Sequence, residues 1–184
     1  MNALDILRSR HSVRDYTRDA PQRSIIERLI EAATLAPSAM NEQPWHFTVV
    51  QDRALLRTIS DRAKAHLLAT ESSLSDHAKT MLEGEAFNVF YNAPALIVIS
   101  APAELPWAVE DCALAAENLM LAAAAEGLGS CWIGFAQRLL STAAGASLIG
   151  VSSNLRCVAP IIVGKPAVTP TPTARRTPTI HWIG

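Results

Sequence analysis

Five apolar residues in a row, Ala95-Leu96-Ile97-Val98-Ile99, follow Pro94 with no polar interruption. A half-buried strand alternates apolar and polar residues, whereas an unbroken run suits a strand covered on both faces. His46-Phe47-Thr48-Val49-Val50 reads as a second strand, rich in β-branched and aromatic residues. Cys131-Trp132-Ile133 reads as a third, and Val158 to Val163 as a fourth in which Pro160 marks an edge or a bulge. Strands alternating with helices give an α/β or α+β sheet with helices on its faces.

The helical segments are legible from their apolar spacing. Leu4, Ile6 and Leu7, followed by Arg8 and Arg10, predict a short first helix ending in a basic loop. Asp19-Ala20-Pro21 predicts the start of a second, with Asp19 as cap and Pro21 in the first turn. Its stripe is Ile25/Ile26, Leu29/Ile30 and Ala33, and it ends before Pro37, because the residue preceding a proline is pushed out of the α region. Leu55/Leu56, Ile59, Ala63 and Leu67 mark a third helix, and residues 71–90 read as further helix with a mobile lead-in. Pro106 to Glu126 is a long Ala-rich helix stopped by Gly127. Apolar positions run around most of it, as in a helix buried at the centre of something, a subunit interface among the choices.

With 184 residues the chain is expected to form one domain, 1–184. Hydrophobic residues are 49% and charged residues 18%, enough for a sizeable core and too little charge for disorder. Sixteen Lys+Arg against 17 Asp+Glu leave a net charge of −1, which argues against a general nucleic-acid binder. A local arginine cluster facing an anion remains open. Cys112, Cys131 and Cys157 sit in apolar stretches without CxxC spacing, so buried free thiols are expected rather than zinc or disulfides. No signal peptide is expected at the N-terminus. The longest apolar window, Leu119 to Ala125, is far short of the ~20 residues that span a bilayer. These readings place the protein in the cytoplasm, away from membranes.

Pro166, Pro170, Pro172 and Pro178 give the tail an extended path, and its closing Ile180-His181-Trp182-Ile183 is expected to pack on something. Gly127-Leu128-Gly129 is no dinucleotide fingerprint: Trp132 replaces the third glycine, and the run follows a helix instead of a strand. No serine-hydrolase elbow or phosphate loop is present, and the five histidines show no metal spacing. Glu110 and Asp111, at a helix start, are expected to face solvent or the helix dipole. With no side-chain catalytic constellation, the chemistry points to a cofactor.

Three segments remain. Arg10-His11-Ser12-Val13-Arg14 is either a solvated basic turn or an anion site of guanidinium forks. Pro37-Ser38-Ala39-Met40-Asn41-Glu42-Gln43-Pro44-Trp45, framed by prolines, is either an ordinary connection or a rigid set of neutral hydrogen-bonding groups. Arg175-Arg176 is a plain basic tail or a second source of cations.

Together these residues resemble the FMN-dependent nitroreductase family. Arg10-His11-Ser12-Val13-Arg14 is similar to its N-terminal Arg-x-Ser-x-Arg/Lys signature, and the Pro37 to Phe47 segment to its second motif. Gly127-Leu128-Gly129-Ser130-Cys131-Trp132-Ile133-Gly134 resembles its glycine-rich strand. Pro160 to Pro166, followed by Arg175-Arg176, resembles its last strand and phosphate-binding tail.

The resemblance implies an α+β fold with a central, mostly antiparallel sheet flanked by helices, and an intertwined homodimer with FMN at the interface. By that likeness Arg10, Ser12 and Arg14, with His11 between them, hold the phosphate, ribityl chain and pyrimidine edge. Pro37, Ser38, Ala39, Asn41 and Gln43 meet the flavin at least partly from the partner subunit. Backbone at Cys131, Trp132, Ile133 and Gly134 lies near the ring, and Arg175 or Arg176 closes on the phosphate. The physics agrees: a phosphomonoester carries about −1.5 to −2 charge, which two or three arginines neutralise. No metal site is expected.

The implied activity is that of an oxidoreductase passing hydride from NADH or NADPH, through flavin N5, to a nitroaromatic, quinone or similar acceptor by a ping-pong cycle. The alternatives are a non-catalytic flavin-binding or interaction dimer, and specialised chemistry such as reductive dehalogenation or flavin cleavage. Residues 64–92 match no family motif, and Arg62, Lys64, His66 and Lys79 are weighed there as either solvent-facing charge or contacts to a nicotinamide phosphate.

Overall fold

A computed structural model describes residues 2–169 and 173–184; the tail reading at Pro170 and Pro172 lies outside the described residues. The architecture is α+β. Four strands, β1 (His46–Val50), β2 (Ala95–Pro102), β3 (Gly129–Trp132) and β4 (Leu155–Gly164), form one sheet in the order β1-β2-β4-β3. Every adjacent pair is antiparallel.

The unbroken apolar run becomes the buried central strand β2, its residues alternating between two cores. Ile97 and Ile99, with Ala159 and Ile161 of β4, face α2 (Arg23–Thr34) and α5 (Ala108–Ala125). Leu96 and Val98, with Ile162, belong to the core beneath α3 (Arg53–Thr70), α4 (Asp76–Glu83) and α6 (Gly134–Leu140). The remaining helices are α1 (Ala3–Ser9) and α7 (Ala143–Leu148).

Several boundaries differ from the sequence reading. Asp19 does not cap α2: the helix starts at Arg23 with Gln22 as a cap that makes no side-chain bond. An aspartate does cap α3, where Asp52 Oδ1 accepts from the Leu55 amide at 2.9 Å. Pro160 sits in the middle of an interior strand, opposite Val98, not at an edge. The bulge is real, however: Ile99 pairs with Ala159 and Ser100 with Cys157, so Val158 is the unpaired extra residue. Residues 71–90 hold only the eight-residue α4; after Glu83 the chain turns, and Lys64 Nζ donates to the carbonyls of Gly84 (2.6 Å) and Phe87 (3.1 Å).

Gly127 ends α5 with φ +73°, a backbone state that costs glycine little. Beyond residue 172 the described tail has no helix or strand and is exposed, Trp182 at 90%. The expected packing of the tail is therefore not made within one protomer.

Candidate functional site

After α1 the chain runs along the free edge of β3. Ser12 bridges to Ser130 in parallel, and the Val13 amide donates to the Ser130 carbonyl at 3.0 Å. Further on, Tyr16 bridges to Pro166 and the Thr17 amide donates to the Lys165 carbonyl at 2.9 Å. Val13 and Tyr16 are buried while Ser12 and Arg14 are exposed. The Tyr16 hydroxyl donates to the Val13 carbonyl at 2.7 Å, and burial pushes its phenol above the ordinary range. Gly129 is required beneath this segment, because a Cβ there would stand 2.7 Å from Val13 side-chain carbons.

Pinned this way, the segment spans two cavities. One, of about 480 Å³, is lined by Arg14, Tyr91, Cys131, Trp132, Ile133 and Gly134 among others. The Arg14 guanidinium carbon lies 5.9 Å from the Tyr91 ring centroid, a cation–π contact that orients it. The Cys131 thiol is raised by burial, an effect opposed by Arg14, Ser12 and Arg10, in that order. The second cavity, of about 290 Å³, is lined by Arg8, Arg10, His11, Thr173 and Arg175, joining cations from both ends of the chain. Arg10 Nε also stands 3.7 Å from Glu117 of α5. Arg176 is exposed and is not among the residues lining this cavity.

The proline-framed loop is a separate construction. Met40, Asn41 and Gln43 have φ of +51°, +57° and +50°, unfavourable values for residues with a Cβ. Ser38 Oγ accepts from the Gln43 amide at 3.0 Å, and Gln43 Nε2 donates to Asn41 Oδ1 at 3.2 Å. Asp111 Oδ1 accepts from the Ala39 amide at 2.9 Å. Far from facing solvent, Asp111 is 4% exposed, while Glu110 is exposed. Pro37, Ser38, Ala39, Asn41 and Gln43 line neither arginine cavity of their own protomer.

The Nitroreductase family profile matches residues 7–165, a span that contains the strand-edge arginines, the strained loop and β3. The chain belongs to the nitroreductase family. It is similar to a protein of Archaeoglobus fulgidus named putative NADH dehydrogenase/NAD(P)H nitroreductase, 34% identical over 172 residues, 89% of this chain and 84% of that one. An iodotyrosine deiodinase of Thermotoga neapolitana is 28% identical, covering 68% of this chain and 70% of its own. A nitroreductase from Bacteroides fragilis, solved with bound FMN, superposes with a TM-score of 0.88 at 27% identity over 100% of both chains.

Within this nitroreductase frame, Lys64 is engaged by two backbone carbonyls and is not available to a nicotinamide phosphate. His66 lines a cavity of about 630 Å³ alongside Glu71, Arg138 and Arg156; neither Arg10 nor Arg14 lines it. Arg62 and Lys79 are exposed. Among the described residues no group of three or more His, Cys, Asp or Glu side chains could hold a metal. Cys112, Cys131 and Cys157 are buried and free.

Sequence reasoning missed Asp111, Glu117 and Tyr91. A signal for Asp111 existed: it shares the 111–115–119 stripe with Ala115 and Leu119, all buried, and a carboxylate on such a stripe needs a partner.

Proposed function

We propose that this nitroreductase family member is an FMN-dependent oxidoreductase that draws on NADH or NADPH and reduces a nitroaromatic, quinone or similar electron-poor acceptor. The observation that carries the reading is the cavity shared by Arg10 and Arg175, next to the Arg14 slot along β3. The donor set fits FMN. Two guanidiniums match a doubly charged phosphate, and a third stands beside a mostly apolar slot at the strand edge.

Arg10 and Arg175 bind the phosphate, with His11 on the same wall. Glu117 orients the Arg10 fork. Ser12 serves the ribityl chain, and Arg14, steered by Tyr91, faces the pyrimidine edge. Backbone at Cys131, Trp132, Ile133 and Gly134 bounds the ring and keeps water from it. When bound, FMN would supply hydride chemistry at N5, first with the nicotinamide donor and then, once the donor has left, with the acceptor.

The site is completed by a second copy. Pro37, Ser38, Ala39, Asn41 and Gln43 line neither arginine cavity of their own protomer, which suits delivery into a partner's site. An apolar groove of about 330 Å³ lined by Ile6, Leu7, Leu35 and Leu121 is open, as are Trp182 and Ile183 of the tail. A homodimer in which tail and groove meet would cover both. Among the described residues no helix is long and apolar enough to cross a membrane. The free buried thiols favour the cytoplasm.

The likeness to the deiodinase supports a second reading, reductive dehalogenation, on the same site. The test is anaerobic: purified protein is expected to show flavin bands that bleach with NADH or NADPH and return with a nitroaromatic or quinone. Return only with a halogenated phenol favours the second reading. Colourless protein that takes up no FMN overturns both.

A further inference from the structure

A further arginine-lined cavity lies apart from those already described. It has a volume of about 540 Å³ and is lined by Arg18, Arg53, Arg57, Asn88, Phe90 and Asn92, among others. Among the described residues none of the three arginines forms an ion pair. Arg53 is fixed by a hydrogen bond from Nη2 to the Arg18 carbonyl, which draws the two residues together. Arg53 and Arg57 also belong to the opening turns of α3, where the helix dipole disfavours cations and no acidic residue occupies the first turn. Apart from the Asp52 cap of α3, whose carboxylate is taken by the Leu55 amide, no acidic side chain among the described residues bonds near these three exposed guanidiniums, so together they present a locally positive wall to the cavity.

The opposite wall supplies neutral donors. Asn88 Oδ1 accepts from the Phe90 amide at 2.8 Å, leaving its NH₂ group to donate elsewhere. Asn92 follows Tyr91 in a turn where both residues have positive φ, +56° and +52°. Backbone held in that region clusters at ligand sites. The turn also walls both cavities: Tyr91 lines the Arg14 slot, and Asn88, Phe90 and Asn92 line this one.

We propose that the Arg18–Arg53–Arg57 cavity is a second anion site, which binds the phosphate or pyrophosphate oxygens of a small molecule. Guanidinium forks and amide NH₂ groups match a multi-oxygen dianion, and the volume falls within the range of small-ligand pockets. Two sources share that chemistry: the pyrophosphate of the nicotinamide hydride donor, and a free phosphorylated metabolite. The donor source rests on the flavin reading above; the anion site itself does not.

The experiment titrates inorganic pyrophosphate into the FMN-loaded protein by calorimetry, comparing wild type with Arg18→Gln/Arg57→Gln. Saturable, salt-sensitive binding is expected in the wild type, weakened about tenfold or more in the variant. Arg57→Gln alone, at an exposed position, serves if the double variant does not fold. A parallel rise in the NADH or NADPH KM, at unchanged kcat and FMN content, assigns the site to the hydride donor. Lost pyrophosphate binding with an unchanged donor KM assigns it to a separate metabolite. Absence of pyrophosphate binding in the wild type, or equal binding in wild type and variants, overturns the proposal. Absence of FMN from the wild type overturns the flavin reading instead.

Discussion

Asp111 and Ala39 are 72 residues apart in sequence, yet the Asp111 carboxylate accepts the Ala39 amide at 2.9 Å. Through this bond the long central helix holds the start of a loop in which Met40, Asn41 and Gln43 all adopt left-handed backbone. Asp111→Ala removes the acceptor, leaves a partly buried N–H without a partner, and is expected to cost about 1–3 kcal/mol. Asp111→Asn keeps an acceptor oxygen and should lose less. Chemical denaturation measures the difference, and FMN titration should show a weaker cofactor complex in the alanine variant at equal folded fraction.

The arginines are expected to separate by position. Arg10→Ala, Arg14→Ala and Arg175→Ala should each weaken FMN binding by about 1.5–3 kcal/mol, the scale of a charged hydrogen bond. Arg176→Ala, whose side chain lines neither site cavity, should change it little. Quenching of flavin fluorescence during titration reads all four, and equal losses at 175 and 176 would contradict the cavity assignment.

Gly129→Ala tests how the N-terminal segment is seated. The added methyl would come within 2.7 Å of Val13. Overpacking of that kind costs about 1–3 kcal/mol, and it should also displace Ser12 and Arg14. Val13→Ala in the same chain should recover part of the loss, a coupling that a double-mutant cycle measures.

The buried thiols set an alkaline limit. Burial, with Asp111 adding to it, raises Cys112 to about 12, and burial, with Cys112 adding to it, raises Cys157 to about 12. Both start from an ordinary value of 9.0. Above that ordinary value the unfolded chain loses thiol protons that the folded chain keeps, so stability falls as pH rises from about 9 toward 12. Below it the contribution is fully present. Cys157→Ala should flatten part of this alkaline limb in pH-dependent denaturation, and native Cys112 and Cys157 should resist thiol reagents at pH 8.

The sequence exposed whatever depended on local pattern. The run at 95–99, the strand at His46–Val50 and the Gly127 stop follow from side-chain burial or backbone freedom within a few residues. The arginine segments stayed open between basic turn and anion site on their residues alone, and took a role only from the resemblance of several motifs in order. What stayed hidden depended on distant partners. Asp111 looked like a dipole-facing acid until α5 met the loop, and Lys64 looked free until the turn after α4 brought two carbonyls to it. Pro160 was open between an edge and a bulge, because nothing local shows whether its strand will lie inside the sheet or at its margin. That Arg175, and not Arg176, lines the cavity with Arg10 shows only once the path of the tail is in space.

Arg10 and Arg175, 165 residues apart in sequence, line one cavity. A nascent chain emerging from the ribosome therefore carries half of that pocket until Arg175 is free of the exit tunnel. On the proposed assignment, coenzyme loading would follow synthesis of that segment, and a chain truncated before Arg175 would be able to build its sheet but poorly able to retain the coenzyme.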